Sequence, residues 1–275
     1  MSVSRTASVV ATAVALVAVA APTARAGTDW TTFGFDAQRT GFNPQEKTLG
    51  AGNVDKLKEA WTADLGGPSL TEPTVATGVL QGGRDLVYAG TLKGDLLAVD
   101  RLTGRQVWRT HLASLKTSCD DFPGGTVGVL DTPTLDRSRH ALYAAAADGK
   151  LHALDEATGA ERSGWPVTIA ANSKVDFIYG SPTLLGSSAY VETASVCDKG
   201  AYHGQAARVA LGGAPKVTAR WYPVGRTGKP SAAASGARAG SRATGPPSTP
   251  RPATRSPTAG STPASPSGWS ASPPR

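Results

Sequence analysis

Ala98-Val-Asp100-Arg-Leu-Thr103-Gly104-Arg-Gln-Val-Trp108 is the stretch that decides the fold of this chain, because the sequence repeats it as a unit. A looser copy, Ala153-Leu-Asp155-Glu-Ala-Thr158-Gly159, ends at Trp165 after two inserted residues. The copies share further positions about 55 residues apart, namely Tyr88 and Tyr143, Gly94 and Gly149, and Leu96 and Leu151. Self-similarity at a period of roughly 40 to 55 residues, with several short strands per period, is typical of β-propeller blades.

Two other signals follow the same period. Proline dipeptides precede each copy, and a further one stands before a third copy: Glu72-Pro73, Thr132-Pro133 and Ser181-Pro182. Tryptophans recur at Trp61, Trp108, Trp165 and Trp221. The third copy, ahead of Trp221, lacks the aspartate and the threonine. We therefore predict about four blades.

Within one period the pattern predicts strands joined by tight turns. The apolar run 85–90 is rich in strand formers, and the turn at Gly94 leads into a second strand that ends at Asp100. Asp100 and Thr103 can bond nearby backbone amides in the next turn, after which Gln106 opens an outer strand. The predicted fold class is all-β, a partial β-propeller of four-stranded antiparallel sheets.

The motif Ala98-x-Asp100-x-x-Thr103-Gly104-x-x-x-Trp108 resembles the tryptophan-docking repeat of quinoprotein (pyrroloquinoline quinone, PQQ) alcohol dehydrogenase-like β-propellers. The opening segment 30–44 is similar to the start of many secreted members, and the likeness covers roughly 29–230. It implies that the repeat tryptophan packs between adjacent blades. The implied docking residues are Ala98, Asp100, Thr103, Gly104, Trp108, Ala153, Asp155, Thr158, Gly159, Trp165, Trp61 and Trp221.

Residues 1–26 have the pattern of a secretory signal peptide. A short N-terminal region containing Arg5 precedes the apolar run 7–21, and the sequence Ala24-Arg25-Ala26 suits cleavage after Ala26. A membrane anchor is the alternative, but a spanning helix needs about 20 predominantly apolar residues. We expect a secreted chain without a membrane span.

The chain has two cysteines, Cys119 and Cys197. An exported protein tends to oxidise its thiols, so we predict a disulfide between them, with two buried free thiols as the alternative. Two cysteines do not supply a zinc site, which prefers four Cys or His ligands. The vicinal cysteine pair of many PQQ dehydrogenases is missing.

Residues 231–275 form an Ala/Pro/Ser/Arg-rich tail without acidic residues, which predicts disorder. The tail is either a linker or an out-of-frame product, since it has five arginines, no lysine and only residue types with GC-rich codons. On the second interpretation, residues 27–230 are an incomplete propeller. Its open strand edges would then favour self-association.

The net charge of +7 does not point to nucleic acid as a partner. The signal and the tail contain seven arginines, which leaves the repeat region near neutrality, and no basic stripe with interleaved aromatics is present.

Few side chains suggest chemistry. A PQQ dehydrogenase, by resemblance, needs a calcium or lanthanide ion, a carboxylate base and a stacked aromatic at the propeller axis. The acidic candidates are Asp120, Asp121, Asp176 and Glu192, each equally explained as a solvated or strand-end acid. His152, at the position of Leu97, is explained by packing between blades. We assign no catalytic, cofactor-binding or metal-binding residue.

Two functions remain. One is a noncatalytic secreted binding or scaffold module for an unknown extracellular ligand or protein. The other is a fragment of a PQQ-dependent alcohol or sugar dehydrogenase, in which PQQ and calcium would belong to the intact parent. The docking repeat does not separate them, because fold does not imply function.

Overall fold

The structure is a computed structural model, and it describes residues 28–195, 197–198, 200, 202 and 204–223. These residues form three antiparallel sheets of four strands each, in which every strand pairs with the next along the chain. The all-β fold with four-stranded blades is thereby confirmed, and the described part contains three such blades. The predicted signal peptide and the tail lie outside the described residues.

The first blade consists of β1 (Thr74–Leu80), β2 (Arg84–Gly90), β3 (Asp95–Asp100) and β4 (Gln106–His111). The hairpin β5 (Leu115–Lys116) and β6 (Thr126–Val127) follows it. The second blade is β7 (Thr134–Asp136), β8 (Ala141–Ala145), β9 (Lys150–Asp155) and β10 (Val167–Thr168). The third is β11 (Thr183–Leu185), β12 (Ser188–Thr193), β13 (Gln205–Ala210) and β14 (Lys216–Trp221). Two 3₁₀ turns span Val54–Lys56 and Pro123–Gly125.

The core lies between the blades. One apolar cluster joins Tyr88 and Trp108 of the first blade to Leu142 and Leu154 of the second. Another joins the second blade to the third, and a third cluster surrounds Cys119 beneath the inserted hairpin. Each blade therefore buries its face against its neighbour, which is the arrangement that a propeller repeat requires.

The repeated turn has the geometry that its sequence predicts. One carboxylate oxygen of Asp100 accepts hydrogen bonds from the amide of Leu102 and from the amide and hydroxyl of Thr103, at 3.0 to 3.1 Å. Asp155 makes the same bonds with Ala157 and Thr158, at 2.8 to 3.1 Å. The aspartate carboxylate thus accepts the hydrogen bonds that the turn amides would otherwise donate to water.

Each turn ends in a glycine that lies against a tryptophan from an earlier part of the chain. Gly159 has φ of +71°, and a Cβ there would meet the Trp108 ring at 2.5 Å. Gly104, with φ of +66°, faces Trp61 in the same way. Only glycine meets both conditions, because an L side chain disfavours this φ and would collide with the indole.

The indole nitrogens also make equivalent bonds. Trp108 Nε1 donates to the carbonyl oxygen of Glu156 at 3.1 Å, and Trp61 Nε1 donates to that of Arg101 at 2.9 Å. Each acceptor directly follows the turn aspartate. Tyr88 packs on Trp108 and donates to the same Glu156 carbonyl at 3.1 Å. Each indole is therefore fixed at its ring and at its nitrogen.

Strand register places the other two tryptophans. Val167 pairs with Leu151 as Thr110 pairs with Leu96, so Trp165 occupies the position of Trp108 despite the inserted residues. In the first blade, Ala98 pairs with Trp108. At the equivalent position of the third blade, Arg208 pairs with Ala219 instead.

Trp221 lies two residues beyond the repeat position and is 65% exposed. The prediction that Trp221 is the repeat tryptophan of the third blade is therefore wrong. Ala219 occupies that position, because β14 extends further than the tryptophan spacing suggested.

We predict that Trp108→Ala lowers the free energy of unfolding by about 3 to 5 kcal/mol, the cost of emptying a buried large aromatic site. Trp221→Ala is the matched control and should change it by no more than about 0.5 kcal/mol, as is usual for exposed positions. Urea unfolding followed by circular dichroism measures both. Equal effects of the two substitutions would contradict the docking role of Trp108.

Candidate functional site

The residues before the three prolines link the starts of the blades. The amide of Glu72 donates to the hydroxyl of Thr132 at 2.9 Å, and the amide of Thr132 donates to the hydroxyl of Ser181 at 3.0 Å. Each blade thus bonds to the next at the residue two positions before its first strand. This end of the blades is opposite the Asp-x-x-Thr-Gly turns.

The segment 30–41 crosses the same end. Trp30 pairs with Val75 of the first blade, and the carbonyl of Thr31 accepts the amide of Leu135 of the second. Arg39 reaches the third blade, where its guanidinium donates to the carbonyl of Ser181 at 2.9 Å and to the hydroxyl of Thr183 at 3.0 Å. One segment therefore contacts all three blades.

Arg39 also sets the electrostatics of this end. Burial lowers the pKa of its guanidinium, and the charges of Glu192 and Glu72 oppose that shift. Glu72 accepts the amide of Gly34 at 3.1 Å, and the Arg39 guanidinium lies 5.4 Å from the ring of Phe33. The carboxylates at this end therefore share one arginine as their cationic neighbour.

A disulfide joins Cys119 to Cys197, as predicted. It links the loop between β5 and β6 of the inserted hairpin to the loop after β12, across 78 residues. The carboxylate of Asp121 lies 3.8 and 3.9 Å from the two sulfurs. These three side chains are the one group in the described part of the chain with three closely spaced potential metal ligands. Disulfide sulfurs are not thiolates, so the group does not have the donors of a thiolate metal site.

A cavity of about 310 Å³ opens beside the disulfide. Leu115 and Phe177 supply apolar walls, and the two cationic side chains of the lining are Lys116 and Lys174. Hydroxyl groups and the disulfide complete it: Thr117, Ser118, Ser195, Cys119 and Cys197. Small-molecule sites are usually concave and mainly apolar, and this cavity is concave with a more polar lining.

Asp131 is a fully buried acid at the start of the second blade. One of its carboxylate oxygens accepts the amide of Ala145 at 2.9 Å, and the other has no hydrogen-bond partner. Burial raises the pKa of this carboxyl well above its usual value, and the Ala145 amide only partly opposes the shift. The equivalent residue of the first blade, Thr71, accepts the amide of Gly90 with a hydroxyl instead.

His152 is buried between two carboxylates. Its ring nitrogens lie 2.7 Å from Glu161 and 3.3 Å from Asp148. Burial lowers the pKa of the imidazole, but the hydrogen bonds to Asp148 and Glu161 outweigh it and raise the pKa to about 9. His152 occupies the position of Leu97 in the repeat, as the sequence predicted. Its side chain makes ion pairs in addition to packing contacts.

The other acidic candidates are spread apart. Asp120 and Asp121 are exposed, Asp176 is buried, and Glu192 is exposed beside Gly180. Sequence reasoning missed Arg39 and Asp131. The three proline dipeptides indicated where this end of the blades lies. A dipeptide does not indicate which distant side chain will contact it.

These features define the class of the protein, a PQQ-like β-propeller domain. Residues 30–194 match the family described as "Glucose/ethanol/alcohol dehydrogenase, beta-propeller domain", and the chain belongs to this family. It is 29% identical over 167 residues to quinohemoprotein alcohol dehydrogenase ADH IIB of Pseudomonas putida, a match that covers 59% of this chain and 22% of that protein.

Solved structures show the same fold. Quinohemoprotein alcohol dehydrogenase from Comamonas testosteroni matches with a TM-score of 0.56 and 22% identity, over 70% of this chain and 27% of that one. A europium-containing methanol dehydrogenase matches with a TM-score of 0.55 and 17% identity, over 72% and 32%. The chain therefore spans about a quarter of the length of such relatives.

The family implies PQQ with a hard cation, and the two carboxylates beside Arg39, Glu72 and Glu192, do not fit as ligands of that cation. A calcium ion takes six to eight oxygen ligands. Glu72 and Glu192 both neighbour the cationic Arg39, whose other neighbour is the aromatic Phe33. A second cation between these carboxylates would be repelled by the guanidinium. We assign no catalytic step to them.

No helix within the described residues is long and apolar enough to cross a bilayer.

We predict that Asp131→Thr raises stability at neutral pH by about 1 to 3 kcal/mol, the cost of a buried polar atom without a partner. The threonine hydroxyl would accept the Ala145 amide as Thr71 accepts that of Gly90. A carboxyl with a raised folded pKa contributes stability below its unfolded pKa of 3.8 and loses it as pH rises through the folded value. The gain should therefore shrink on acidification.

Thermal melts of both proteins from acid to neutral pH measure this difference. Asp120→Thr, at an exposed acid, is the control and should leave the pH dependence unchanged. A pH-independent difference between wild type and Asp131→Thr would contradict a neutral buried carboxyl.

Proposed function

We propose that this protein is a noncatalytic secreted binding module built on PQQ-like propeller blades. Secretion rests on the signal-like sequence of residues 1–26, which lie outside the described part. The ligand is a small organic anion with an apolar body, held in the cavity beside the disulfide.

The composition of the cavity supports this ligand class. Lys116 and Lys174 offer ammonium groups at its exposed rim, and Phe177 is a buried aromatic wall. Ammonium groups bind carboxylates or phosphates through charge-assisted hydrogen bonds, which are stronger than neutral ones. The apolar walls favour a ligand that also buries hydrocarbon.

The arrangement at the blade starts supports a noncatalytic role. Glu72 accepts a backbone amide and neighbours Arg39, so it is engaged within the fold. A general base needs a carboxylate that can reach a substrate proton. The acids at this end instead hold the segment 30–41 on the blades.

A fragment of a PQQ-dependent dehydrogenase is the second candidate. Membership of the dehydrogenase propeller family favours it, as does the identity with a quinohemoprotein alcohol dehydrogenase. On this hypothesis, the ligands for PQQ and its metal come from blades that the described residues do not contain. A dye-reduction assay with added PQQ, calcium and ethanol tests the proposal, because turnover by this chain would contradict a noncatalytic binding module.

We predict that benzoate binds the purified chain and that Lys116→Gln/Lys174→Gln weakens binding by at least about tenfold, since a hydrogen bond to a charged group contributes about 1.5 to 3 kcal/mol. Isothermal titration calorimetry with benzoate, succinate and inorganic phosphate measures affinity and separates the apolar from the ionic contribution.

Lys216→Gln, at an exposed lysine on β14, is the matched control for charge. Its affinity for benzoate should equal that of wild type. Absence of binding by all three probes, or equal weakening by the control, would overturn the assignment of the cavity.

A further inference from the structure

The disulfide has a carboxylate beside both of its sulfurs. Oδ2 of Asp121 lies 3.8 Å from Sγ of Cys119 and 3.9 Å from Sγ of Cys197. An ionised carboxylate only accepts hydrogen bonds, and a disulfide sulfur has no hydrogen to donate, so the oxidised pair makes no hydrogen bond to this oxygen. Two thiols in the same place would each have a proton to donate. The position of Asp121 therefore suits the reduced cysteines better than it suits the disulfide.

The spacing of the three side chains is close to that of a tetrahedral metal site. Zinc binds sulfur at about 2.3 Å and carboxylate oxygen at about 2.1 Å, so a tetrahedron places oxygen and sulfur ligands about 3.6 Å apart and two sulfurs about 3.8 Å apart. The two oxygen–sulfur distances already lie within about 0.3 Å of that geometry. Only the sulfurs have to move apart, and reduction removes the bond that holds them together.

The surroundings of the group suit a bound cation. Cys119 is buried, Cys197 is half-buried and Asp121 is exposed, so solvent reaches the group. Both cysteines also line the cavity of about 310 Å³, which has room for a water molecule as the fourth ligand. Lys116 and Lys174 line the same cavity, and neighbouring ammonium groups favour thiolates over thiols. The cavity therefore favours the ionised cysteines that a metal requires.

The chemistry of the donors selects the class of metal. Thiolate sulfur prefers soft or borderline ions such as Zn²⁺, whereas Ca²⁺ takes about six to eight oxygen ligands. Three protein ligands with water in the fourth position are a common arrangement around zinc. The group therefore differs in kind from the hard-cation site that the family implies.

We propose that reduction of the Cys119–Cys197 disulfide converts this group into a binding site for a soft divalent cation such as Zn²⁺. A dithiol is the reductant: its two thiols are oxidised to a disulfide, and each cysteine sulfur gains one electron and one proton. The cation then binds the two sulfurs and Oδ2 of Asp121, and the two thiol protons pass to solvent. The metal keeps the loop between β5 and β6 joined to the loop after β12, as the disulfide does in the oxidised chain.

The test uses the full chain, reduced with a phosphine that is removed without oxygen before CdCl₂ or ZnCl₂ is added. Isothermal titration calorimetry measures affinity and stoichiometry, and the ultraviolet charge-transfer absorption of cadmium thiolates identifies sulfur as the ligand. The reduced chain should bind one ion per chain with this absorption. The oxidised chain and the variant Cys119→Ser/Cys197→Ser should not show it.

Two adjacent acids provide matched variants for the third ligand. Asp121→Asn should weaken cadmium binding by at least about tenfold, because even residues that only orient metal ligands contribute about 10- to 100-fold to affinity. Asp120→Asn removes the same charge beside Cys119, but Asp120 lies outside the group. Its affinity should stay within about threefold of wild type, since exposed charges contribute little.

Circular dichroism shows whether the reduced chain is folded. If reduction unfolds it, Zn²⁺ should restore the spectrum of the oxidised protein, because the free energy of metal binding then contributes to folding. The proposal is overturned if neither ion binds the reduced chain or restores its fold, if the oxidised chain gives the same absorption, or if the two aspartate variants weaken binding equally. The proposed function is tested separately, with benzoate and the oxidised chain.

Discussion

The structure depends on one contact, a tryptophan ring placed against a glycine in left-handed conformation on the next blade. Trp108 makes it with Gly159, and Trp61 makes it with Gly104. The aspartate that opens each turn fixes the turn amides, so the glycine and the carbonyl that accepts the indole nitrogen arrive together. The Trp108 contact joins the first blade to the second, and the apolar cluster between these two blades packs around the same tryptophan.

The two ends of the blades have different tasks. The turn end contains the tryptophan contacts, and the opposite end contains the hydrogen bonds of Glu72 and Thr132, the crossing segment with Arg39, and the disulfide with its cavity.

The sequence was sufficient for the all-β blades, for the disulfide and for the position of Trp165, because each follows from a repeat or from two cysteines in a chain with a predicted signal peptide. The predicted repeat position of Trp221 was wrong, because the spacing of the tryptophans does not determine the register of β14. In the structure, Ala219 of β14 pairs with Arg208. Arg39 and Asp131 were missed because their roles come from long-range contacts: Arg39 meets Ser181, which is 142 residues away. The buried state of Asp131 has no local sequence signature, because Thr71 has the same role with a neutral side chain.

The central claim is that the ring of Trp108 and the missing Cβ of Gly159 are one interaction, and a double-mutant cycle tests it most directly. Gly159→Ala adds a clash with the indole, a close approach of 2.9 Å to Thr110 Oγ1 and an unfavourable φ, whereas in the Trp108→Ala background only the last two remain. Urea unfolding of the four proteins should give a coupling between about 0.5 and 3 kcal/mol, the range for residues in contact. Strict additivity of the two substitutions would contradict the account.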